Sequence, residues 1–98
     1  MHVANIRPKK NWQDLETLIT ESIWETGTIS EGKQYEIYNN GGSTAYAMAQ
    51  EKDPETAGNG ALAGRCIFPA GAAYVYTAGV NKLYLKSAGK CDLHVEEL

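Results

Sequence analysis

The sequence has no apolar run approaching the roughly 20 residues that a membrane-spanning helix requires, so a helical membrane anchor is not expected. Its first residues, Met1 to Pro8, lack the apolar stretch of a secretion signal, which points to synthesis in the cytoplasm without export. Two cysteines, Cys66 and Cys91, are too few for a disulfide scaffold. No C-x-x-C or His/Cys grouping suggests a structural metal. Positive charge is scarce, with nine basic against twelve acidic side chains and a formal charge of −3. A nucleic-acid binder normally carries a basic stripe, so that class is disfavoured. Internal repeats and low-complexity segments are absent as well.

The 98 residues suffice for one domain, and 43% of them are apolar, enough to close a modest core. Residues 1–10 read as an extended N-terminal arm, because Pro8 removes an amide and biases Arg7 toward extended backbone. Residues 11–98 form the domain itself. The stretch 11–25 is ambiguous. Trp12, Leu15, Ile19 and Ile23 fall near helical spacing behind Asn11 as an N-cap, whereas Thr17, Ile19, Thr20, Ile23, Trp24 and Thr26 favour strands. The balance goes to strand structure after a helical turn, with a short helix as the alternative.

From Gly32 onward the pattern is β. Tyr35 and Ile37 alternate with polar neighbours, and Asn39-Asn40-Gly41-Gly42 has the composition of a tight turn. Thr44, Tyr46 and Met48 then alternate with Ala45, Ala47 and Ala49, so the two runs are expected to pair as a hairpin. A polar loop with Pro54, Gly58 and Gly60 spans 52–60. Further strands are expected at 65–68, 72–78, 81–87 and 91–96. In the last two, Leu83, Leu85, Leu93 and Val95 face inward, while Lys82, Tyr84, Lys86, Asp92, His94 and Glu96 face outward. Short strands at this spacing predict an all-β fold, a small antiparallel β-sandwich or barrel with meander or Greek-key wiring. The thiols of Cys66 and Cys91 are expected to be reduced and buried, with a disulfide joining neighbouring strands as the alternative.

A search for chemistry yields no catalytic group, cofactor site or metal site to nominate. His94 shares a strand face with Asp92 and Glu96 at i±2 spacing, but with His2 in the arm the sequence offers no second histidine for a metal, and a solvated edge is the simpler reading. No phosphate loop, dinucleotide fingerprint or nucleophile elbow occurs. The candidates are instead contact residues. Arg7, Lys9 and Lys10 form the basic arm, and Lys52, Asp53 and Pro54 open the long loop. Tyr38, Tyr74, Tyr76 and Tyr84 are placed opposite the aliphatic side of their strands, where tyrosines suit an interface.

From Trp12 onward the chain resembles small β-structured virion proteins of tailed bacteriophages. The matching stretches are Trp12-Gln13-Asp14-Leu15, then Gly32-Lys33-Gln34-Tyr35-Glu36-Ile37-Tyr38-Asn39 with Gly41-Gly42-Ser43. A loop with Pro54 and Gly58, the Phe68-Pro69-Ala70-Gly71 turn and the strand Leu83-Tyr84-Leu85-Lys86-Ser87 follow in order. The resemblance implies a non-enzymatic structural protein of the virion, a capsid decoration protein or other head or tail accessory. It would be a homo-oligomer, with a trimer favoured, made in the host cytoplasm and bound to the major capsid protein or another virion protein. Neither nucleic acid, membrane nor cofactor is implied. The alternative is a carbohydrate- or receptor-binding β-sandwich module of a fibre or secreted enzyme.

Overall fold

The computed structural model describes residues 1–22, 27–54 and 66–98. Among these the chain runs β1 (His2–Ile6), β2 (Gln13–Asp14), α1 (Leu15–Thr20), β3 (Gln34–Gly42), β4 (Ala45–Gln50), β5 (Cys66–Phe68), β6 (Ala73–Thr77), β7 (Lys82–Ser87) and β8 (Cys91–Glu97). The strands form two antiparallel four-stranded sheets, in the orders β1-β8-β3-β6 and β2-β7-β4-β5. The inner faces close on one core containing Tyr35, Ile37, Leu83, Leu85, Leu93, Val95, Phe68 and Val3, all essentially inaccessible to water. Each such aliphatic side chain contributes roughly 1.5–3 kcal/mol on burial. The expected all-β sandwich is therefore present. The alternation read in β7 and β8 also holds: Leu83, Leu85, Leu93 and Val95 are buried in the core, and the residues between them point to the opposite face.

Apart from β4 to β5, each successive pair of strands passes from one sheet to the other. With these strand orders the chain describes a jelly roll, two Greek keys wrapped together. No meander forms. The expected hairpin of β3 and β4 is likewise not formed, since the two strands lie in different sheets. Asn39-Asn40-Gly41-Gly42 does not reverse the chain. It continues β3 against β8 through a register shift between Asn39 and Gly41, as far as the pair Gly42 and Cys91. The glycines serve a sheet-to-sheet corner, which needs positive φ as much as a hairpin does: φ is 93° at Gly42. The β7–β8 corner stacks on this one, with Ser43 N donating to Lys90 O (2.7 Å) and Ser87 Oγ donating to Thr44 O (2.8 Å).

The segment after Trp12 also differs from expectation. A two-residue strand comes first, and a helix follows it. Leu15, Leu18 and Ile19 form one buried stripe at i, i+3, i+4, while Glu16, Thr17 and Thr20 stay exposed. A six-residue helix is marginal by itself. Burial of that stripe against β1, β2 and β7 overrides the strand preference of Thr17, Ile19 and Thr20. Ile23, Trp24 and Thr26 lie outside the described residues.

Residues 2–6 are extended, yet they are no free arm. They pair with β8 along the edge of the first sheet, and Val3, Ala4 and Ile6 are buried in the core. Lys9 O accepts from Ser87 N at 2.8 Å, which ties the following segment to β7. Among the described residues no helix is long and apolar enough to cross a membrane.

Candidate functional site: the outer face and open edge of the first sheet

Antiparallel registry decides which side chains meet on the outer face of the first sheet. His2 of β1 stands opposite Glu96 of β8, and Glu96 stands opposite Glu36 of β3. The next row joins Asn5, His94 and Tyr38. Pairing the first strand with the last therefore brings His2 to His94. Their rings meet edge to face, with centroids 5.7 Å apart and planes at 68°. His2 Nδ1 lies 3.2 Å from Glu96 Oε1, and the Met1 amine lies 3.8 Å from Glu96 Oε2. One ligand atom from each of His2, His94 and Glu96 lies within 4.8 Å of the others, and all three residues are half-buried. The sequence reading placed His2 in the extended N-terminal arm, apart from His94, and so missed this cluster. A register shift between His2 and Ala4 breaks the period-2 alternation of the segment, so no regular strand pattern marked it in the sequence.

At the far side of the same sheet, β6 pairs with β3 alone. Backbone bonds flank this ladder at Ala78 N to Lys33 O (3.0 Å) and Asn39 N to Ala72 O (2.9 Å). Hydrogen-bonded pairs alternate in an antiparallel ladder, so Tyr74 and Tyr76 direct their amides and carbonyls at β3. Ala73, Val75 and Thr77 direct theirs outward, to an edge that no strand among the described residues covers. All three are exposed, Val75 at 52%. No charged residue occurs from Cys66 to Asn81.

The tyrosines expected at an interface are distributed otherwise. Tyr38 is exposed on the outer face beside His94. Tyr74 and Tyr76 point inward, contrary to the assignment from the sequence. Tyr74 is half-buried against Phe68, with centroids 6.3 Å apart, and the buried Tyr76 donates its hydroxyl to Asn81 O at 2.7 Å. In Ala-Tyr-Val-Tyr-Thr both alternating sets are apolar, so sequence gives no sign of which faces the core. Tyr84 does face outward from the second sheet, as expected, but it is buried there in a cluster with Trp12 and Met48. Lys86 Nζ caps that cluster, 4.9 Å from the Trp12 ring centroid. Burial raises the phenol pKa of Tyr74, Tyr76 and Tyr84 above the ordinary 10.0.

The basic residues are exposed and two of them are paired. Arg7 Nε donates to Asp92 Oδ1 at 2.7 Å, and Lys9 Nζ lies 3.7 Å from Glu21 Oε1. Lys10 is exposed. In the long loop Lys52 is exposed, Asp53 half-buried and Pro54 buried, and residues 55–65 lie outside the described residues. Both cysteines are free thiols. Cys91 is buried with Sγ 3.6 Å from Asn39 Oδ1, and Cys66 is half-buried. Comparisons with protein-family models, with curated proteins and with solved structures find no match to this chain.

Proposed function

We propose that this protein is a structural module acting through protein–protein contact, in the manner of the phage virion proteins its sequence resembles, and that its first partner is a second copy of itself. The observation that carries the reading is the open edge of β6. Exposed strand edges are normally blunted by lysine, proline or a bulge, because unpaired amides and carbonyls template pairing with another chain. β6 has none of these protections. Two copies pairing antiparallel about Val75 would set Ala73 opposite Thr77 and merge two four-stranded sheets into one. Because the strand is uncharged, no like charges meet across that axis. Such a contact is isologous and closes as a dimer, which supports self-association while favouring two-fold over three-fold assembly.

The jelly-roll wiring supports the virion reading by analogy, since viral capsid and lectin domains both use it. The larger partner in this reading is the major capsid protein or another virion protein, with Arg7, Lys10 and Lys52 as exposed charges at the rim. Light scattering after gel filtration tests the first step: a dimer at micromolar concentration is expected. Val75→Lys should return it to a monomer with unchanged thermal stability. Co-sedimentation with capsids tests the second. A protein that stays monomeric, ignores capsids and binds glycans would replace this reading with the carbohydrate-binding one.

A further inference from the structure

We infer that His2, His94 and Glu96 form a binding site for a divalent transition-metal ion of the zinc class on the outer face of the first sheet. The site is independent of the β6 edge, which lies two strands away across β3. Three observations converge on it. The first is donor type: two imidazoles and one carboxylate are the set that zinc-class ions take, whereas magnesium and calcium require oxygen ligands. The second is placement. Ligand atoms of all three residues already lie within 4.8 Å of one another. Bonds of about 2.0–2.2 Å to a central zinc ion hold ligand atoms within about 4 Å of each other. Side-chain adjustment of about 1 Å closes the difference, without backbone movement. The strands hold the donors in place: β8 sets His94 and Glu96 on one face, and the β1 pairing sets His2 across from Glu96.

The third observation is charge. Glu36 faces Glu96 directly across the β3–β8 ladder, and like charges so placed repel. A cation already near this pair is the Met1 amine, 3.8 Å from Glu96 Oε2. A bound dication would neutralise that repulsion. It would also take the place of the direct 3.2 Å contact between His2 Nδ1 and Glu96 Oε1. Three protein ligands leave a fourth position for water or an incoming donor. Since the ligands come from β1 and β8, the ion would clamp these two strands together.

The test uses the untagged full chain and zinc chloride, with magnesium chloride as the comparison. Calorimetry should show one zinc ion per chain and no comparable magnesium binding. Zinc at about 100-fold over its dissociation constant should raise the melting temperature by about 10 °C. His2→Ala, His94→Ala and Glu96→Gln should each weaken zinc binding at least tenfold. All three positions are half-buried on the outer face, so the variants should keep the wild-type circular dichroism. Cys66→Ser should leave zinc binding unchanged. Binding that survives in the His2→Ala/His94→Ala double variant, that magnesium matches, or that Cys66→Ser abolishes would overturn the assignment, as would no binding at all.

Discussion

The side-chain amide of Asn39 donates a hydrogen bond to the carbonyl of Phe68, at 3.1 Å, and so joins the first sheet to the second inside the core. The same Nδ2 donates to Ser43 O at 3.0 Å, across the corner where β3 leaves for β4. Asn39 Oδ1 accepts from Gly41 N at 3.2 Å and stands 3.6 Å from Cys91 Sγ. One fully buried polar side chain thus serves the bulge, the corner and the edge strand β5. Buried amides stabilise only when their partners are satisfied in this way.

Replacing Asn39 with leucine, which has similar volume, should therefore cost about 2–4 kcal/mol, since it strands the buried Phe68 carbonyl and the Gly41 amide. Urea unfolding measures this directly. A loss below about 1 kcal/mol would mean that water or backbone movement replaces the amide's bonds.

Gly42 and Gly32 both have positive φ, at 93° and 86°, yet they should respond differently to alanine. A Cβ at Gly32 meets open space, so only the backbone term remains, about 1 kcal/mol. A Cβ at Gly42 would run into the carbonyl oxygen of Lys90, the same atom that receives the Ser43 amide. Gly42→Ala should then cost about 3 kcal/mol or more, because two stacked corners must separate. Thermal melts of the two variants side by side give the comparison.

The two thiols should be distinguishable by chemistry. Burial pushes the Cys91 thiol pKa up from its usual 9.0, with the neighbouring Ser87 side chain opposing and the Asp92 charge adding to the rise. Thiolate is the reactive form, so alkylation of the native protein at pH 8 should modify the half-buried Cys66 first. Cys91 should react only as the protein unfolds, and its labelling rate should therefore rise with urea. Peptide mass mapping over time reads out both.

How legible the molecule was in its sequence depended on contrast between neighbouring residues. Leu83 and Leu85 stand among lysines, and Leu93 and Val95 stand among acids, so β7 and β8 could be oriented from sequence. In β6 the alternating sets are tyrosines against Ala73, Val75 and Thr77, both able to face a core, and the orientation came out reversed. Asn39 to Gly42 gave the right residues for a sharp change of direction, but local chemistry does not distinguish a hairpin from a corner between sheets. The histidine cluster was the least accessible. It depends on pairing His2 with a strand more than ninety residues later, and no local pattern carries a contact of that range.

Stability should fall on the alkaline side, and the sign follows from four buried or half-buried groups that share one direction. The thiol of Cys91 and the phenols of Tyr74, Tyr76 and Tyr84 all have pKa values raised by burial. For Tyr84 the charges of Asp53 and Asp14 add to the rise, whereas for Tyr76 a backbone hydrogen bond at Gly79 opposes it. In the unfolded chain these groups release protons near their ordinary values of 9.0 and 10.0. In the folded protein they hold them to higher pH. Between the two values the native state binds more protons than the unfolded state, so unfolding free energy decreases as pH rises. The contribution is fully present below about pH 9 and is lost as pH climbs through the folded values. Urea midpoints should therefore be level from pH 7 to about 8.5 and decline above it. Variants separate the contributions of the thiol and the phenols. Cys91→Ala should delay the onset of the decline to about pH 10, where the phenols take over. Tyr84→Phe should leave the onset unchanged and reduce the slope above pH 10. A wild-type midpoint that stays constant to pH 10.5 would show that these side chains ionise as readily in the folded protein as in the unfolded one.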